Sequence, residues 1–177
     1  MSPDYRKYLV GQGVIGAGIN FTLNGAIGWM LYRHLPRIPL YGEQSIAGDI
    51  VVTSLLLPML VCLIATPLIR NEVRKARLPA ASWRRPGSSR APHLLGNLLL
   101  RAVVLGVLSA LLVSPVTIWT LHTLGVDGLE FWTFVALKAS FAAALAAVIT
   151  PMVAAWALED GLLASGARYS PGHSSGE

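Results

Sequence analysis

Residues 70–101 read RNEVRKARLPAASWRRPGSSRAPHLLGNLLLR and separate two apolar stretches of the chain. This segment contains one acidic residue, Glu72, and eight basic residues: Arg70, Arg74, Lys75, Arg77, Arg84, Arg85, Arg90 and Arg101. Lys and Arg concentrate in the cytoplasmic loops of membrane proteins, and this bias sets the orientation of the spans. The segment therefore predicts a cytoplasmic connection between two pairs of membrane-spanning helices.

The composition of the chain favours lipid as its surroundings. Of the 177 residues, 54% are hydrophobic and only 13% are charged, and the mean hydropathy is +0.57. Soluble domains carry roughly a quarter charged residues. The chain is long enough for four spans of about 20 residues with their loops. The predicted fold class is an all-α integral membrane protein with four transmembrane helices.

The predicted boundaries give two helical hairpins. Residues 1–70 form the first and residues 101–160 the second, joined by the basic cytoplasmic loop 71–100. The predicted spans lie at about 8–32, 46–69, 102–121 and 131–158. Residues 161–177 are rich in Ser and Gly and are predicted to be a disordered tail. Four spans place both termini in the cytoplasm, so we expect a multi-pass protein of the cell membrane, namely a bacterial inner membrane.

The two hairpins align with each other. A shift of 90 positions relates spans 1 and 3, and a shift of 84 relates spans 2 and 4. The aligned pairs include Gly16 with Gly106, Asn24 with Ser114, Trp29 with Trp119, and Thr66-Pro67 with Thr150-Pro151. We interpret this as a gene duplication, with chance similarity of apolar helices as the alternative. It predicts two tandem parallel repeats about an axis along the membrane normal. If the repeats form a pseudo-dimer, spans 1 and 3 would face a common interface.

Two short motifs carry a resemblance to a known family. They are Asn24-Gly25 late in the first span and Thr66-Pro67-Leu68-Ile69-Arg70 at the end of the second. The pattern resembles an uncharacterised family of small bacterial two-helix membrane proteins, here duplicated. In the second copy Ser114-Pro115 replaces Asn-Gly, and Ala154 replaces the arginine. The resemblance implies a membrane hairpin and implies no activity.

Lys138 is the charged residue that lies deepest in a predicted span. A charge inside a membrane is costly and is by default a candidate functional site. Asp49, near the start of span 2, is its natural partner, because Lys138 lies about five residues deeper than the position aligned with Asp49, or roughly 7.5 Å. A lysine side chain covers most of that distance. The pair is a candidate gate or proton or anion site; snorkelling of Lys138 to the headgroups and a purely structural pair are the alternatives.

Asn20 and Asn24 add polar groups to one face of span 1, together with Gly13, Gly16 and Gly28. Small residues let a neighbouring helix approach closely, and Asn can form hydrogen bonds between helices. The face is therefore predicted to be buried in protein, either as a helix-packing surface or as the polar lining of a path. With Asp49 and Lys138, these asparagines form the candidate polar intramembrane site.

No motif for catalysis, a metal or a cofactor is present in the sequence, so none of these is predicted, and the chain is not expected to be an enzyme. The net charge of +5 is explained by topology, because Trp83 is the only aromatic residue in the basic segment, and nucleic-acid binding is not expected.

The expected partners are the lipid bilayer, anionic headgroups at the basic loop, and further protein subunits or copies of the chain. The predicted function is structural or accessory, as a subunit of a membrane assembly. The alternative is a small transporter or channel with a path lined by Asn20, Asn24, Asp49 and Lys138.

Overall fold

The computed structural model describes residues 3–75 and 97–166. In chain order the elements are α1 (Pro3–Tyr32), β1 (Arg37–Pro39), α2 (Ile46–Arg74), α3 (Leu98–Thr123), β2 (Gly128–Glu130) and α4 (Phe131–Gly166). All four helices are long and apolar enough to cross a membrane. Even α3, with 26 residues, reaches about 39 Å, which exceeds a hydrocarbon core of about 30 Å. The prediction of four helices of spanning length is confirmed.

The helices extend beyond the predicted spans. α1 begins at Pro3, and α2 continues past Arg70 into the segment predicted as loop. The predicted disorder from residue 161 is wrong for residues 161–166, which belong to α4, because the Leu and Ala residues in this segment favour a helix. The predicted disorder of residues 167–177 and the greater part of the basic loop, residues 76–96, lie outside the described residues.

The helices pack in the order α1–α4–α2–α3. α4 contacts both α1 and α2, and α2 contacts both α4 and α3. α2 and α4 run in the same direction, because Asp49 meets Lys138 near their N-terminal ends and Arg70 meets Asp160 near their C-terminal ends. The central core lies between α2, α3 and α4; its smallest members are Cys62, Ala102, Ala142 and Ala146. Small side chains on α4 thus let two neighbours approach it.

The predicted interface between the first and third spans is wrong. α1 packs on α4 and α3 packs on α2, so the two central helices are α2 and α4. The physical reason is the placement of polar groups. Asp49, Lys138, Arg70 and Asp160 lie on α2 and α4, and charges that are withdrawn from water are stable only when they are paired.

Two short strands join the loops of the hairpins. β1 and β2 pair antiparallel, with Ile38 opposite Leu129, and the Ile38 side chain is fully buried. Backbone hydrogen bonds extend the contact on both sides, since Leu40 N donates to Asp127 O at 2.8 Å and Phe131 N donates to Pro36 O at 3.2 Å. The loop between α1 and α2 is therefore tied to the loop between α3 and α4, at the end opposite the basic segment.

Candidate functional site

Lys138 and Asp49 form a buried ion pair between α4 and α2. Lys138 Nζ donates to Asp49 Oδ1 at 2.5 Å and lies 3.4 Å from Thr53 Oγ1. The side chains of Lys138 and Asp49 are 4% and 10% exposed. Asp49 lies in the first turn of α2, where the helix dipole favours a negative charge. The lysine is thus held by one carboxylate and one hydroxyl on the facing helix.

Local structure positions each member of the pair. α2 begins at the N-cap Ser45, whose hydroxyl accepts a hydrogen bond from Gly48 N at 3.2 Å, and this fixes the turn that carries Asp49. Asp49 and Thr53 are four residues apart, so they lie on one face of α2. Lys138 lies between the buried residues Phe134 and Ala142 on the inward face of α4.

Gly28 of α1 makes room for the lysine. A Cβ at position 28 would lie 2.9 Å from Lys138 Cδ, which is too close for a real Cβ contact. The hydrocarbon part of Lys138 therefore passes directly over the α1 backbone. The sequence placed Gly28 on the small-residue face but did not connect it with Lys138, because the α1–α4 contact was not predicted.

The space beside the ion pair is small. A cavity of about 10 Å³ adjoins Asp49 and Lys138. Thr117 is the one hydroxyl residue among its other lining residues. The rest are apolar: Ile46, Ile50, Phe134, Leu137 and Phe141. One water needs roughly 10–15 Å³ of such space, so the cavity holds one water at most. The arrangement neutralises a buried charge and leaves no room for a larger ligand.

Asn20 and Asn24 do not join this pair within the described residues. Asn20 Nδ2 donates to Gly16 O at 2.9 Å, and Asn24 Nδ2 donates to Asn20 O at 3.0 Å. Both amides therefore satisfy the backbone of their own helix, one turn earlier. The structure divides the four-residue candidate site into a packing face on α1 and an ion pair between α2 and α4.

A second charged cluster lies at the other end of the α2–α4 interface. Arg70 Nη2 and Arg101 Nη1 donate to the same oxygen, Asp160 Oδ2, at 2.7 Å and 2.8 Å. The Arg101 guanidinium also lies 5.6 Å from the centre of the Trp156 ring. Two of the predicted topology-setting residues thus make specific contacts. The sequence placed Asp160 only at the end of the last span, because residues 90 and 59 positions away gave no sign that they would meet it.

Of the remaining basic residues of the segment, only Arg74 and Lys75 lie within the part of the chain that the structure describes. Lys75 follows α2 and is exposed, and Arg74 ends that helix. Arg77, Arg84, Arg85 and Arg90 lie outside the described residues.

Among residues 3–75 and 97–166 no group of three or more His, Cys, Asp or Glu side chains could hold a metal ion. Comparisons with protein-family models, curated proteins and solved structures found no match to the chain. The resemblance to the two-helix family stays a prediction.

Proposed function

We propose that the chain is an integral membrane protein with both termini in the cytoplasm. The basic residues between α2 and α3 support this orientation. Insertion is supported by the large apolar side chains that are exposed along the helices. Examples are Val14, Ile64, Leu112 and Val148, each more than half exposed. Such side chains are stable in lipid and costly in water.

Site-specific labelling tests this insertion. In a Cys62→Ala background, a membrane-impermeant maleimide should label Glu43→Cys from outside intact cells. It should label Ser89→Cys only in inverted membrane vesicles. Labelling of both positions from the same side would overturn the proposed topology.

We further propose that the two hairpins are tandem repeats. The packing order supports this, because exchanging α1 with α3 and α2 with α4 leaves the order of neighbours unchanged. The pairing of β1 with β2 fits the same exchange. The side-chain hydrogen bonds between α2 and α4 join residues 85 to 90 positions apart, close to the shift of 84 that aligns these two helices. A twofold axis along the membrane normal would pass between α2 and α4.

A designed disulfide tests the helix order. A Cβ at position 25 would lie 3.5 Å from Ala139 Cβ, within the range of disulfide geometry. With a protease site inserted between residues 80 and 90, Gly25→Cys/Ala139→Cys should keep the two halves linked after cleavage under oxidising conditions. Gly18→Cys/Ala139→Cys is the control, because Gly18 faces open space. Linkage in the control alone would contradict the packing of α1 on α4.

We propose that the function is structural or accessory, as a subunit of a membrane assembly. The observation that carries this proposal is the buried Lys138–Asp49 pair, whose charges neutralise each other beside a cavity of only about 10 Å³. A transport path would need polar groups that converge on an accessible cavity, whereas Asn20 and Asn24 bond within α1. The outer face of α1 offers a place for another subunit, since only 11% of its most apolar window is buried, against 50% for α4.

Reconstitution distinguishes this proposal from transport. Proteoliposomes with wild type, Lys138→Ala or Asn24→Ala should pass protons and small ions at the rate of empty vesicles. Flux above empty vesicles in wild type, lost in Lys138→Ala, would overturn the structural proposal and support the transporter. Native mass spectrometry of protein extracted from its own membrane should show a second copy or another subunit, and a bare monomer under gentle extraction would count against an assembly.

A further inference from the structure

The cluster of Arg70, Arg101 and Asp160 has an excess of positive charge. Two guanidinium groups share one carboxylate oxygen, so the three groups together carry one net positive charge. Their side chains are 31%, 13% and 19% exposed, which leaves the cluster open to the surroundings but partly shielded from water. A second anion would complete the charge balance.

The guanidinium groups also have unused donors. Arg70 Nε has no hydrogen-bond partner among the described residues, but it is buried, so the donors open to a ligand are the terminal N–H groups. Each guanidinium carries five N–H donors, and each donates once to Asp160. Planar guanidinium groups bind the oxygens of a phosphate through paired, charge-assisted hydrogen bonds. The cluster therefore has spare donors and the net positive charge that suit a phosphate group.

An apolar groove begins about one helical turn from Arg101. It lies between α3 and α4 and has a volume of about 480 Å³. Its walls include Leu105, Leu108 and Leu112 of α3 and Phe141, Leu145 and Met152 of α4. Leu105 lies one turn after Arg101, and Met152 lies one turn before Trp156. Arg101 reaches from α3 to Trp156 and Asp160 on α4, so its side chain spans the two helices about one turn beyond the groove.

The groove has the dimensions of one lipid leaflet. It extends from Leu105 to Val113 along α3, which corresponds to about 12 Å at 1.5 Å per residue. Half of a hydrocarbon core of about 30 Å is about 15 Å. Its exposed walls, such as Leu108 and Leu112, are 50% and 67% accessible, so the groove is open along its side. An acyl chain parallel to the helices fits this shape.

We propose that this face binds an anionic phospholipid, with its phosphate on Arg101 and Arg70 and one acyl chain in the α3–α4 groove. The inference rests on the proposed membrane insertion, which places the cluster at the cytoplasmic leaflet, where anionic lipids are found. A phosphatidylglycerol headgroup brings a phosphate without a cation of its own. A phosphatidylcholine headgroup brings a choline cation, which the positively charged cluster disfavours.

Native mass spectrometry of the detergent-solubilised full chain, titrated with phosphatidylglycerol or phosphatidylcholine, tests the headgroup site. Wild type should retain phosphatidylglycerol in preference to phosphatidylcholine. Arg101→Gln should weaken retention of phosphatidylglycerol about fivefold, the change expected for one basic residue at a lipid headgroup. Lys75→Gln is the matched control, an exposed basic residue on the same side of the protein, and should change retention little. Equal retention of both lipids by wild type, or equal losses in both variants, would overturn the proposal.

The groove is tested by a pair of neighbouring substitutions. Leu112→Trp fills the groove without touching the cluster, whereas Leu111→Trp places the same ring on a neighbouring face. The two positions are 67% and 66% exposed, so the pair is matched in accessibility. Leu112→Trp alone should lower retention of phosphatidylglycerol. Equal retention by the two variants would overturn placement of the acyl chain.

Competition separates a lipid from free phosphate. Inorganic phosphate at millimolar concentration should displace little phosphatidylglycerol from wild type, because it gains nothing from the groove. Displacement as complete as that by excess phosphatidylglycerol would assign the cluster to free phosphate and overturn the lipid proposal. Ion flux through proteoliposomes would contradict the structural function but leave these binding results unchanged, so the two failures are distinguishable.

Discussion

The two charged sites at opposite ends of the α2–α4 interface differ in charge balance and in exposure. At the Lys138 end, one cation meets one anion in a closed site, and the side chains are 4% and 10% exposed. At the Arg101 end, two cations share one anion, and the side chains are between 13% and 31% exposed. The first site is balanced within the chain, whereas the second has charge and donors left over. Balance and burial favour a structural role, and excess charge with access favours a ligand.

The largest expected effect is on stability at the Lys138 end. Lys138→Met leaves Asp49 buried without its cation, and breaking such a pair costs about 3–5 kcal/mol. Asp49→Leu/Lys138→Met removes both charges and should recover most of that loss, because a well-packed apolar pair of similar volume is often as stable as a buried ion pair. Unfolding in mixed micelles with increasing denaturing detergent measures both variants. A double variant as unstable as Lys138→Met would show that the charges are not coupled.

The next largest effect is expected at Gly28 of α1, where the missing side chain leaves space for Lys138. Gly28→Ala places a methyl group against the lysine stem and should cost about 1–3 kcal/mol, as overpacking does. Gly18→Ala is the control on the same helix, because its Cβ would meet nothing within 4 Å. It should raise stability by up to about 1 kcal/mol through helix propensity. Equal effects of the two substitutions would contradict the contact between α1 and Lys138.

How far the sequence predicts these sites depends on the range of the contacts. Four spans follow from composition. The alignment of spans 2 and 4 put Asp49 and Lys138 at similar depths, but it did not decide whether they pair. The role of Gly28, the convergence on Asp160 and the β1–β2 pairing did not follow. Helices that are apolar on most sides give little periodic signal for which face meets which neighbour. Strands of three residues, such as Arg37–Pro39, are too short to show alternation.

At the Arg101 end we expect a smaller loss of stability together with a gain in lipid binding. Asp160→Asn should cost about 1 kcal/mol or less, because its ion pairs are partly exposed and screened. The same change removes the anion that competes with lipid, so retention of phosphatidylglycerol should rise. Glu159→Gln, at the neighbouring acid, is the control. A fall in retention with Asp160→Asn would mean that the carboxylate orients the guanidinium groups for the lipid.

The smallest expected effect is the change in stability with salt, which should differ between the two ends of the α2–α4 interface. Raising NaCl from about 0.1 M to about 1 M shortens the Debye length from about 10 Å to about 3 Å. Screening acts on charges that reach water, so the stability cost of Asp160→Asn, already about 1 kcal/mol or less, should shrink further. The cost of Lys138→Met should stay the same, because ions have no access to the Asp49–Lys138 site. Detergent unfolding curves at the two salt concentrations measure both costs in one protocol. If the stability cost of Lys138→Met fell with salt as much as that of Asp160→Asn, the Lys138 site would be open to water. A polar path past Asp49 would then account for the buried lysine.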